Sequence, residues 1–210
     1  MAESLVNVTE GAGKKLHTWS RTVGANTVED QVWLAGLPFL ATYKVRPAAA
    51  VSAATANSHL LAINAGATLN VYVLSIRLYQ LAAATAAAID QIDIFRTTTA
   101  PVIGAGAVAN VLPLDSSDAA AGATGLCVPG TKGTEAAAPI DGATVQWTQT
   151  VAAQSGGREG TLLAEWDFVK LLGKPLRIAA GVANGIAIKN PTARAAATLI
   201  PVATIIEASY

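Results

Sequence analysis

Cysteine, histidine and charge are scarce in this chain of 210 residues. The single cysteine, Cys127, excludes an intrachain disulfide framework and a cysteine metal site. The two histidines, His17 and His59, have no partners at a metal-ligating or catalytic spacing. Charged residues make up 13% of the chain, and 14 basic residues balance 14 acidic ones. There is no basic excess of the kind that a phosphate backbone requires, so no nucleic-acid partner is expected. The opening "MAESLVNVTEGAGKK" lacks the basic and apolar regions of a signal peptide. No stretch of about 18 residues is apolar enough to span a bilayer, so no membrane partner is expected either. The best candidate, "AAATLIPVATIIEASY", is interrupted by Pro201 and closed by Glu207. With few charges and none in excess, a free monomer has little colloidal protection. The composition suits a protein whose surface is covered by neighbours.

What is abundant is alanine, 45 residues, together with short β-prone runs punctuated by Gly and Pro. "VYVLSIRLYQL" alternates, with Val71, Val73, Ser75, Arg77 and Tyr79 on one face and Tyr72, Leu74, Ile76 and Leu78 on the other. "IDQIDIFRTTT" sets Ile92, Ile94 and Arg96 against Asp93, Phe95 and Thr97. "AAATAAA" between them reads as a loop or a short helix. "TVQWTQTVA" and "TLLAEWDFV" read as strands around a glycine-rich hairpin turn, "AQSGGREG". In the last strand, Pro201 removes a ladder donor and predicts an edge or a bulge. Seven or more such strands indicate an all-β fold, a jelly-roll-like antiparallel β-sandwich with an extended N-terminal arm. The arm with its short docking strands is placed at 1–46, a linker at 47–58 and the sandwich at 59–210. One phrase occurs twice. "HLLAINAGATLNVYVLSI" (59–76) and "KPLRIAAGVANGIAIKN" (174–190) align Leu61, Ile63, Ala65 and Gly66 with Leu176, Ile178, Ala180 and Gly181. Val71 and Val73 fall on Ile186 and Ile188. Each copy reads as a hairpin, with Gly181 and Gly185 needed for their conformational freedom.

Candidate chemistry is thin. Glu165 and Asp167 share a face and resemble a glycosidase carboxylate pair, but a polar strand face explains them as well. Asp90 and Asp93 fall on opposite faces. With Asp115 and Asp118, Glu165 and Asp167 do not match the spacing of a calcium loop. "GAG" at 104–106 and "SGGREG" at 155–160 lack the Lys-Ser/Thr of a phosphate loop. Trp147 and Trp166 suit core packing better than a sugar platform. No catalytic, metal or cofactor-binding residue is assigned, and no enzyme is expected. The polar passage 115–142 is long enough to be functional or an interface element. In the arm, Trp19, Trp33, Leu37 and Phe39 are apolar residues in a segment with little core, and they are candidate partner contacts.

The frame formed by the two copies, "IDQIDIFRTTTAP", "PLDSSDAAA", "LLAEWDFVKLLG" and "ATLIPVATIIEAS" resembles tailed-bacteriophage structural proteins. Ala180 and Gly181 lead into Gly185, Ile186 and Ile188, and Glu207 ends the closing strand, as in small jelly-roll proteins of such virions. The resemblance covers 59–210. It implies a non-enzymatic capsid decoration or stabilising protein, located on the capsid surface of a virion. Such a protein associates as a homo-oligomer, a trimer, and binds the major capsid protein. A tail, collar or fibre-base component is the alternative, and a carbohydrate-binding module using Trp147, Trp166 and the 115–142 passage is another.

Overall fold

A computed structural model describes residues 18–23, 26–31, 40–148 and 160–209. The chain forms two compact units, Met1–Phe39 and Leu40–Tyr210. In the first, β1 (Thr18–Val23) and β2 (Asn26–Gln31) pair antiparallel, with Thr18 opposite Gln31 and Val23 opposite Asn26. The part of the chain expected as an extended arm therefore contains a two-stranded ribbon.

The second unit is a jelly roll. In chain order its elements are β3 (Thr42–Pro47), β4 (Val51–Ser52), β5 (Ser58–Asn64), β6 (Asn70–Ala82), β7 (Ala88–Thr97), β8 (Ala107–Pro113) and β9 (Thr124–Cys127). They are followed by β10 (Asp141–Trp147), β11 (Thr161–Asp167), α1 (Phe168–Leu172), β12 (Leu176–Ile178), β13 (Gly185–Asn190) and β14 (Thr198–Ala208). Four nested antiparallel pairings define the roll: β3 with β14, β5 with β13, β6 with β11 and β12, and β7 with β10. Cross-pairing of β14 with β6 and of β13 with β7 makes two sheets, β3-β14-β6-β11 and β5-β13-β7-β10. β8 and β9 are an addition. They pair with each other, with β3 and with β5, and join the sheets along one flank into a nearly closed, barrel-like sandwich.

The compact unit begins at Leu40, ahead of the boundary expected at 59. The reason is that β3 and β4 both pair with β14, so 42–58 is sandwich rather than arm and linker. The inward faces hold Trp147, Trp166, Phe168 and a set of buried Leu, Ile and Val side chains. Fully burying one such aliphatic side chain stabilises the fold by about 1.5–3 kcal/mol.

The repeated phrase does not form two hairpins. In each copy the first and second strands lie in different sheets, so the glycine turn is an arch that crosses the sandwich. The copies pair with each other instead. Leu61 lies opposite Ile188 and Ile63 opposite Ile186; Leu176 lies opposite Val73 and Ile178 opposite Val71. The second set is the first with the copies exchanged, which makes an internal two-fold. At the crossing, the Gly181 N–H donates to the Gly66 carbonyl at 2.8 Å, and the Ala65 N–H donates to the Asn184 carbonyl at 3.0 Å.

Other expectations change for identifiable reasons. β10 and β11 do not pair with each other, because one belongs to each sheet; the turn expected between them falls largely outside the described residues. β14 is central as a whole, but Pro201 stands at a local edge as expected: it pairs with β6 on one side, and on the other it falls in the gap between the residues that pair with β3 and those that pair with β4. The "AAATAAA" stretch between β6 and β7 contains no helix. In β6 the buried face runs through Val71 and Val73, then shifts to Ile76, Leu78 and Gln80. A bulge at Leu74 resets the phase, because Thr204 pairs with Ser75 while Ile205 pairs with Val73.

Candidate interaction surface

The residues that carry candidate chemistry are occupied by structural contacts. Glu165 pairs with Arg77 at 2.7 Å. Asp167 caps α1 by accepting from the Lys170 N–H at 2.9 Å, and Gly173 ends that helix at φ 68. The two carboxylates thus have separate structural partners. Asp90 makes a two-point contact with Arg194, whose hydrogen bonds hold the Asp90 carboxyl below its usual range. Asp115 accepts from the Ser117 N–H and hydroxyl in an exposed turn. Cys127 is fully buried, and burial pushes its thiol up to about 12, far from the thiolate form that nucleophilic chemistry uses. Trp147 and Trp166 are core residues, 0% and 2% exposed, and offer no sugar platform. The 104–106 glycines make a turn packed against 127–130, with Gly104 at φ 49. Most of 155–160 falls outside the described residues. Among the described residues, no group of three or more His, Cys, Asp or Glu converges to hold a metal ion. No helix among them is long and apolar enough to cross a membrane.

The 115–142 passage is anchored along its length. Glu207, near the end of β14 and only 6% exposed, accepts from the backbone N–H groups of Gly122 and Ala123. The Tyr43 hydroxyl donates to the Ala119 carbonyl at 3.1 Å. Burial, then the charges of Glu207 and Asp118, raise the Tyr43 pKa and keep this donor protonated. The backbone here lies on Gly66, where a Cβ would stand 2.8 Å from the Gly122 carbonyl oxygen.

Further along, Glu135 receives His59 Nε2 at 3.1 Å, Lys132 Nζ at 2.8 Å and Lys189 Nζ at 2.7 Å. Burial opposes its ionisation, but these three hydrogen bonds prevail and bring its pKa to about 2. His59 is completely buried. Desolvation lowers its pKa despite the Glu135 contact, so at neutral pH the ring is uncharged. Val128 adopts φ 45, a costly conformation for a β-branched residue, and its N–H is held by the His59 carbonyl at 2.8 Å. These clamps escaped sequence reading because each depends on one acid meeting distant partners. The isolated acid Glu207 in an otherwise apolar strand was the one available signal.

What stays uncovered is apolar. On β8 the small side chain of Ala109 is buried, while Val108 and Leu112 point outward at 51% and 60% exposure. Leu114, just past the strand, is 62% exposed. The cross-strand neighbours of this face are Leu126 beside Val108, Lys44 beside Leu112 and Arg46 beside Asn110. An apolar stripe with a basic border therefore lies on the added flank of the roll. Both parities of "AVANVLPL" are largely apolar, and only the exposed Asn110 marks the set that faces out. Of the candidate contacts in the arm, Trp19 lies in β1 opposite Asp30, while Trp33, Leu37 and Phe39 lie outside the described residues. Comparison with known protein families, with curated proteins and with solved structures finds no match.

Proposed function

We propose that this chain is a non-enzymatic structural protein of a tailed-bacteriophage virion. In this reading it decorates or stabilises the capsid by binding the lattice of major capsid protein. The sequence resemblance over 59–210 supplies the family. The observation that carries the reading is the contrast between a jelly roll whose Asp90, Glu135, Glu207 and His59 have internal partners and whose thiol is buried, and exposed apolar side chains at Val108, Leu112 and Leu114. Such side chains on a stable sandwich suit attachment to another protein. Buried apolar area would supply the affinity, with Trp19, Trp33, Leu37 and Phe39 of the arm adding contacts. The buried positions of Trp147 and Trp166 weigh against the carbohydrate-binding alternative.

The test is to locate and count the protein in purified virions by imaging and quantitative mass spectrometry. Hundreds of copies on the capsid surface are expected. A dozen or fewer, at a vertex or tail, would replace this reading with the tail, collar or fibre-base one, and absence from virions would overturn both. Deleting residues 1–39 removes the first unit at its boundary with the second. Unchanged capsid affinity after that deletion would remove the arm from the proposed contact.

A further inference from the structure

We infer that His59 is an acid-released latch for a flap made of the 98–106 and 128–135 loops. The device does not depend on the virion reading.

The two loops are fastened to each other. The Val102 N–H donates to the Thr131 carbonyl at 2.8 Å, and the Thr131 N–H donates back to the Val102 carbonyl at 3.1 Å. The Gly130 N–H donates to the Ile103 carbonyl at 2.8 Å, and the Thr134 N–H to the Thr99 hydroxyl at 2.7 Å. A Cβ on Gly104 would lie 2.9 Å from the Gly130 Cα, so no side chain separates the loops there. They therefore form one unit. His59 holds this unit down at two points. Its carbonyl accepts from the Val128 N–H, and its ring Nε2 meets Glu135 at 3.1 Å. Val128, at φ 45, is strained while the latch is closed. His59 lies opposite Lys189 in the register of β5 with β13, and both reach the same carboxylate.

The ring suits the closed flap in its neutral form only. Its Nε2–H donates to Glu135, while Nδ1 is buried and has no partner among the described residues. A proton added at Nδ1 would make a charged donor with nothing to receive it. The surroundings divide over that charge. Lys132 on the flap and Lys189 on β13 oppose it, and Glu135 favours it. Asp93 stands opposite Lys189 on β7, one strand farther from His59, and Cys127 on β9 is a neutral thiol. Burial outweighs the rest and keeps the ring uncharged. Once the flap lifts, the ring is solvated and takes up its proton near pH 6.5. Opening thus binds a proton, so falling pH favours the open flap from about 6.5 downward.

Amide exchange on the full chain tests this, with rates corrected for the intrinsic pH dependence of exchange. Opening at the Val128 amide should rise about tenfold between pH 7.5 and 4.5, with its onset near 6.5. The Gly181 amide, bonded to Gly66 where the arches cross, should keep its protection. His59→Gln retains a side-chain donor for Glu135 but does not titrate, and it should lose the response. His17→Gln should keep the response. Because the chain has only these two histidines, that result assigns the response to His59 even if His59→Gln does not fold. An onset below about pH 5 would point to carboxylates and overturn the inference. So would flat exchange at Val128, equal opening at Gly181, a response retained in His59→Gln or one lost in His17→Gln.

Discussion

The two copies of the repeated phrase share one backbone plan and live in different surroundings. In the first arch, Gly66 lies beneath the 119–123 segment and β5 is buried at every position. In the second, the turn stays open to solvent, with Val182 62% exposed and Arg177 exposed on β12. The glycines follow this difference. Gly181 is needed for its φ of 124, whereas Gly66 is needed because the neighbouring backbone leaves no room for a Cβ. Gly185 resembles Gly66 in this respect. It sits in β13, where a Cβ would lie 2.6 Å from Asn64 Nδ2 and 2.7 Å from the Ile63 carbonyl oxygen. Internal symmetry thus fixes the strand pairing, while the inserted flank decides what each copy can tolerate.

The sharpest way to break this comparison is in the shared core. Ile63 and Ile178 occupy equivalent places, both 1% exposed. Ile63→Ala and Ile178→Ala should each cost about 4 kcal/mol in urea unfolding. Losses differing by more than about 2 kcal/mol, beyond the usual spread between sites, would mean that the two-fold is one of pairing without equivalent packing. The covering of the first arch is tested by Glu207→Ala, which leaves the buried Ala123 N–H and the part-buried Gly122 N–H without their acceptor. It should cost about 3 kcal/mol and speed amide exchange at Gly122 and Ala123, with little change at Asn184. Unchanged exchange at 122–123 would mean that Glu207 does not hold the segment.

The legibility of the fold follows the same division. Alternation read from a single strand was sound where no bulge intervened: Ala164, Trp166 and Phe168 are buried while Glu165 is exposed. The jelly roll itself was also legible, because many short β-prone runs leave few other architectures. Partner choice was not legible. A strand, a glycine turn and a strand describe a hairpin and an arch equally well, and only pairing with the distant copy separates them. The bulge at Leu74 was hidden for a related reason, since it is set by register against β14. The exposed stripe on β8 was missed because the inward and outward residues there are both largely apolar.

Glycine substitution gives a finer contrast. Gly66→Ala should cost about 2 kcal/mol, because its Cβ must displace backbone, and it should loosen 119–123. Gly181→Ala should cost about 1–2 kcal/mol through strain at positive φ and leave 119–123 as protected as before. Equal loosening by both would erase the distinction between room and conformation.

Acid should act on the covered region before it acts on the open arch. Glu135 has its pKa lowered to about 2 from 4.5, so its contribution is complete above pH 4.5 and declines as pH falls toward 2. His59 is also lowered from 6.5, so the unfolded chain takes up its proton first and stability declines below pH 6.5. Both shifts make the protein weaker toward acid. The Glu135 share should be about 2 kcal/mol after allowing for screening at the half-exposed Lys132. Glu135→Gln should remove most of the slope between pH 5 and 3 in urea titrations, and an unchanged slope would assign it to other carboxylates.

The smallest effect is expected at Arg77 and Glu165, and it sharpens the contrast between covered and open surfaces. Their hydrogen bond is short at 2.7 Å, yet the side chains are 51% and 38% exposed. Water and salt screen such a pair, and two long side chains must be ordered to make it. Arg77→Ala should therefore cost less than about 0.5 kcal/mol, and that cost should shrink as salt is added. The Arg194–Asp90 pair has side chains only 19% and 8% exposed. Arg194→Ala leaves the Asp90 carboxylate poorly solvated and should cost several times as much. Equal losses at the two sites would show that hydrogen-bond length, rather than burial, sets the strength of ion pairs on this sandwich.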